Sequence, residues 1–138
     1  KSEWLARAAA EHSVELLVWV DLGILHVPGV TPAHIARGLG LAERIPTDRI
    51  TLASIWGPPT KPVDPGVISW WCAGGVVACP ASMAAWWHQA VRAEAACLYR
   101  MSSRVTFEVN TWASAWHRAP DWFRMFPCDH DASILEIA

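Results

Sequence analysis

Apolar runs of strand length alternate along the chain with segments of helical period, and this alternation predicts an α/β fold with a mixed, mainly parallel sheet flanked by helices. Three observations carry the prediction. Val14 to Val20, VELLVWV, is apolar everywhere except Glu15, the pattern of a strand buried on both faces of a sheet. Ile50 to Trp56, ITLASIW, is a second such run. From Pro80 to Arg100, Met83, Trp87, Ala90, Val91, Glu94, Cys97 and Leu98 fall along one stripe of a helix, with Gln89 and Arg92 outside it. With 138 residues, the chain has room for one core, and residues 1–138 read as a single domain or part of one.

The remaining elements follow in order. Ser2 is placed to cap a helix over residues 3–12, whose Trp4, Leu5, Ala8, Ala9 and His12 share a face. The first strand ends at Asp21-Leu22-Gly23. Thr31-Pro32 is an N-cap followed by a proline at the first helical position, opening a short helix that stops at Gly40. GPPTKPVDPG, residues 57–66, is a loop on its proline and glycine content. Ile68 to Cys79 reads as extended chain interrupted at Gly74-Gly75, where the backbone must pass close to something. A helix over residues 106–117 follows the long one, then the aromatic segment DWFRMF and the ending PCDHD.

Composition bounds the partners. Eleven basic against thirteen acidic residues give a formal net charge of −2, which argues against a nucleic-acid surface. Residues 31–50 resemble a helix-turn-helix, but Pro46 sits where a recognition helix would run, so DNA binding is the remotest alternative. Cys72, Cys79, Cys97 and Cys128 show no C-x-x-C spacing and lie in or beside apolar segments, which suits reduced, buried thiols and a cytoplasmic location; a redox pair of Cys72 and Cys79 has only proximity behind it. No apolar run reaches the length of a membrane span. Ten tryptophans stand against three phenylalanines and one tyrosine. An indole joins a large apolar body to one N–H that needs a partner, so several rings are expected at a cleft or interface.

Three polar groups are candidates for chemistry. Asp21 lies just past an apolar strand, where open α/β sheets bind ligands, and equally where a carboxylate caps a turn. Asp129-His130-Asp131 offers metal-ligand types, of which one or two can reach one ion; the alternative is a polar turn. Glu108 sits near the start of a helix, favourable for a carboxylate in any case, with Asn110 two residues on.

Four segments taken together, KSEWLARAAAEHSVELLVWVDLGI, WCAGGVVACPASMAAWWHQAV, RVTFEVNTWASAW and MFPCDHDASIL, resemble in order and approximate spacing the bacterial HtrL/YibB-like family of presumed GT-A-fold glycosyltransferases. The resemblance covers the C-terminal half of that fold. It implies a nucleotide-sugar donor, a hydroxyl acceptor and a divalent cation, Mn²⁺ or Mg²⁺. Asp21 matches the first aspartate of Asp-x-Asp, while Gly23 stands where the second falls. Asp21 therefore has two implied roles, as a cation ligand with His130 or as a contact to the ribose or donor sugar. Glu108 matches an acidic residue that acts as general base or holds the donor sugar, assisted by Asn110, with Gly74 and Gly75 on the donor. Trp70, Trp71 and Trp112 would then be platforms for sugar faces. The N-terminal nucleotide-binding part of the fold has no counterpart in these residues, so another chain or an N-terminal segment is expected beside the sheet. The main alternative to catalysis is a non-catalytic α/β binding or assembly module derived from a transferase.

Overall fold

The structure, a computed structural model, describes residues 1–40 and 42–136. Its helices are α1 (Ser2–Glu11), α2 (Pro32–Gly40), α3 (Ala81–Ser102) and α4 (Glu108–Arg118), and its strands β1 (Leu16–Val20), β2 (Ile50–Ser54), β3 (Val76–Pro80) and β4 (Phe123–Pro127). Short 3-10 turns occupy Leu22–His26, Ala42–Arg44, Pro120–Trp122 and Ala132–Leu135. The four strands form one sheet in the order β1-β3-β2-β4.

This is the mixed α/β architecture expected, but the sheet is not mainly parallel. β3 runs antiparallel to both β1 and β2, and only β2 and β4 are parallel. The reason lies in the connections: a parallel neighbour needs a crossover along one face of the sheet. The segment from β2 to β3 contains no helix and returns to the same end of the sheet, whereas α3 and α4 together carry the chain back to start β4 beside β2.

The core lies on both faces, sorted by the two-residue period of the central strands. Ile50 and Leu52 of β2 with Val77 and Cys79 of β3 face α1, α3 and α4, where Leu5, Ala84, Trp87, Leu98 and Trp112 complete the larger cluster. Ala53, Val76 and Ala78 face the opposite side, covered by Ile24, Val30, Ile134 and Leu135. Every residue of β2 and β3 is buried.

β1 departs from its expected burial. It is an edge strand, half-buried at all five positions, because among the described residues β3 is its one partner in the sheet. Trp4 also departs: it points away from the core, 60% exposed, with the Arg7 guanidinium over its ring, while Leu5 is buried. Ser2 lies inside α1 and does not cap it. Residues 31–50 contain α2 followed, among the described residues, by the three-residue turn Ala42–Arg44, so there is no second helix to enter a DNA groove. Among the described residues no helix is long and apolar enough to cross a membrane.

Candidate active site

The end of β1, the start of β3, the first turn of α4 and the segment after β4 converge on one cleft of about 290 Å³. Six of the residues singled out by sequence line it: Asp21, Trp70, Gly74, Gly75, Glu108 and His130. The topology explains the convergence. β1 runs antiparallel to β3, so the C-terminal end of one lies beside the N-terminal end of the other, and the Asp21 backbone N–H donates to the Gly75 carbonyl at 2.9 Å.

The two carboxylates meet on a residue that sequence reasoning passed over. The Lys1 ammonium donates to Asp21 Oδ2 at 2.7 Å, to the Gly74 carbonyl at 2.7 Å and to Glu108 Oε1. Trp19, two residues before Asp21 and therefore on the same side of the strand, donates its indole N–H to Asp21 Oδ1 at 2.8 Å. Both oxygens of Asp21 are thus engaged, while Glu108 Oε2 has no protein partner among the described residues. The double glycine is the close approach its sequence predicts. A Cβ at Gly74 would lie 3.0 Å from Glu108 Oε1 and 3.5 Å from Lys1 Nζ, and one at Gly75 would lie 2.9 Å from Ile24 Cδ1.

The walls are apolar. Ile68, Phe107 and Val109 join Trp70 in the lining, and the His130 ring packs edge-on against Trp70 with centroids 4.4 Å apart. The flanking aspartates of His130 shape its turn. Asp129 Oδ1 accepts from the His130 backbone N–H, and Asp131 Oδ1 accepts from both the backbone N–H and the hydroxyl of Ser133. Those two bonds hold the Asp131 carboxyl below the usual carboxylate range. The polar-turn reading of Asp129-His130-Asp131 therefore describes both aspartates, while the His130 ring lines the cleft.

Three sequence candidates lie elsewhere. Asn110 is fully buried and forms the anchor of the 64–69 loop: its carbonyl accepts from Ser69 N–H, and its amide donates to the carbonyls of Asp64 and Val67 and to Thr106 Oγ1. With donors and acceptor so engaged, it is not offered to a ligand. Trp112 is 1% exposed and lies beneath Lys1, its ring centroid 5.6 Å from Nζ, so it supports the site without presenting a face to it. Trp71 is buried against Trp56 and His117, outside the cleft lining. Trp86 and Trp87 pack with Phe123 and so belong to the core rather than the cleft.

The divalent cation implied by the sequence resemblance would have to bind these donors. An ammonium and an indole N–H already occupy the two oxygens of Asp21, and among the described residues no three His, Cys, Asp or Glu side chains are grouped for a metal. A divalent ion held by Asp21 and His130 would therefore have to displace the Lys1 ammonium from Asp21 Oδ2.

A second cavity, of about 360 Å³, opens between α3 and α4 around Glu94. The buried Glu94 carboxylate accepts from Ser114 Oγ at 2.6 Å and from Arg118 Nε, and raises the proton affinity of that guanidinium. A carboxylate on an otherwise apolar helical stripe was the sequence signal for this pair.

No family model, curated protein or solved structure matches the chain.

Proposed function

We propose that the chain handles carbohydrate at this cleft and that it transfers a sugar from a nucleotide-sugar donor to a hydroxyl acceptor. The observation that carries the reading is the pairing of Asp21 and Glu108 across a small cleft walled by Trp70 and Phe107. Carboxylates accept hydrogen bonds from vicinal hydroxyls, and an indole face receives the C–H face of a pyranose. At about 290 Å³ the cleft lies at the small end of ligand sites, which suits one sugar ring with the nucleotide outside. Its charge supports the same division. Two carboxylates and one ammonium leave an excess of negative charge that disfavours a diphosphate at the cleft floor but not a neutral ring.

On this reading Glu108 Oε2 takes the proton of the acceptor hydroxyl as its oxygen bonds to the anomeric carbon. The nucleoside diphosphate leaves with the electron pair of the broken bond. The sequence resemblance to the HtrL/YibB-like family supports transfer as the reaction. The engagement of Glu108 Oε1 by Lys1 favours a second reading, a sugar-binding module without catalysis. Glu108→Gln separates the two. In a transferase, release of nucleoside diphosphate from a panel of UDP-, GDP- and dTDP-sugars falls by about 10²-fold or more while sugar binding persists. If the wild-type chain releases none, the module is the correct reading; if neither protein binds any sugar, both readings are wrong.

A further inference from the structure

Lys1 is the member of the cleft that sugar transfer leaves unexplained. An alkylammonium has three N–H donors. Here three oxygens from three separate stretches of chain meet them: Asp21 Oδ2, the Gly74 carbonyl and Glu108 Oε1. The Trp112 ring adds its electron-rich system 5.6 Å from Nζ, and the Lys1 side chain is only 13% exposed. The surroundings maintain this geometry. Trp19 fixes Asp21 through Oδ1 and leaves Oδ2 for the ammonium, and a side chain at Gly74 would crowd both Glu108 Oε1 and Nζ. A planar guanidinium does not match three converging acceptors, and a tetraalkylammonium has no N–H to give them.

We propose that Asp21, Gly74 and Glu108 form a recognition site for a primary ammonium group, closed by Lys1 and opened when a free alkylammonium displaces it. Resting on the carbohydrate reading of the same cleft, the ligand class is an amino sugar with a free amine. Its ammonium takes the place of Nζ while its ring lies against Trp70. A tethered occupant competes at an effective concentration on the order of millimolar, so Lys1 also sets a threshold that a ligand must exceed. Displacement frees Glu108 Oε1 for the ligand.

The test measures thermal stability of the wild type and of Lys1→Met with methylammonium, tetramethylammonium, D-glucosamine and D-glucose at matched ionic strength. Methylammonium is expected to raise the melting temperature of Lys1→Met and tetramethylammonium to leave it unchanged. The wild type should need about tenfold more methylammonium for the same shift, and glucosamine should act at lower concentration than methylammonium or glucose. Equal effects of the two ammonium ions, or a folded Lys1→Met variant that responds to no primary amine, overturn the proposal. A response to methylammonium with none to either sugar keeps the ammonium site and removes the carbohydrate reading; equal responses to the two sugars with none to methylammonium do the reverse. Should Lys1→Met fail to fold, the wild type decides. The sequence contains just two lysines, Lys1 and the exposed Lys61. A slowly exchanging Nζ proton signal from Lys1, absent for Lys61, is expected by NMR, and equally fast exchange at both overturns the proposal.

Discussion

Trp87 is fully buried between Trp112 and Phe123, and its indole N–H has no hydrogen-bond partner among the described residues. An unpaired buried donor carries a desolvation cost without a compensating bond. Trp87→Phe is therefore expected to change stability by no more than about 1 kcal/mol in denaturant titration, whereas Trp87→Ala, which empties the site, costs about 3–5 kcal/mol. A loss from Trp87→Phe as large as that from Trp87→Ala would contradict this account. The cysteines give a second test. Burial holds the Cys72 thiol far above its ordinary range, pushes Cys79 up to about 12 and, as the main cause, pushes Cys128 up to about 11. The thiolate is the reacting form, so these three stay unmodified by iodoacetamide at pH 8 in the native chain and react once it is unfolded. For the same reason the unfolded chain loses its thiol protons first, and stability falls as pH rises from about 8.5 toward these values. At this scale the sequence conveyed residue types better than partners. Glu108 and Asp21 were legible as carboxylates at element ends, but Asn110 looked the same as a ligand-facing residue, because only the returning loop of residues 64–69 engages its amide. Lys1 was legible only as a positive charge, since the three oxygens around it come from positions 21, 74 and 108.

The long helix α3 ends on Ser103, which adopts the left-handed conformation at φ 56° while its backbone N–H donates to the Tyr99 carbonyl at 2.7 Å. Glycine enters that region without the Cβ clash that Ser103 bears. Ser103→Gly is accordingly expected to stabilise the chain by about 0.5–1 kcal/mol in urea unfolding, and a loss of stability would contradict the helix ending described. The helices were legible because their periods repeat over many residues. The strands were less so. β4 has five residues, with Phe123 buried and Arg124, Met125 and Phe126 half-buried, too short and too mixed for its period to stand out. Its identity as a strand depends on pairing with β2, more than sixty residues earlier in the chain. The segment from Ile68 to Gly75 shows the opposite error. Its apolar residues resemble a strand, yet it packs as a loop held by Asn110 and by backbone bonds from Ile55 and Trp56 to the Trp70 carbonyl.

At the scale of the whole molecule, the sheet brings five distant stretches of chain to one cleft, while the C-terminal halves of α3 and α4 line a separate cavity around Glu94. The cleft forms at this end because β1 and β3 are antiparallel, although the sequence pattern predicts a mainly parallel sheet. Asp21 leaves β1 and Gly75 enters β3 at the same edge of the sheet when the two strands are antiparallel. The tryptophan excess divides accordingly: Trp70 lines the cleft, Trp19 donates to Asp21 beside it, Trp112 supports Lys1 from below, Trp87 fills the core, and the half-buried Trp86 packs against that core. The central claim is that this cleft receives a sugar ring, and indole N–H resonances report on it directly because tryptophans stand at the cleft and far from it. On titration with free hexoses and hexosamines, the account predicts saturable shifts of the Trp19 and Trp70 signals and none for Trp122, which stacks on Trp86 outside the cleft lining. Static Trp19 and Trp70 signals with every sugar, or shifts confined to Trp122, would contradict it.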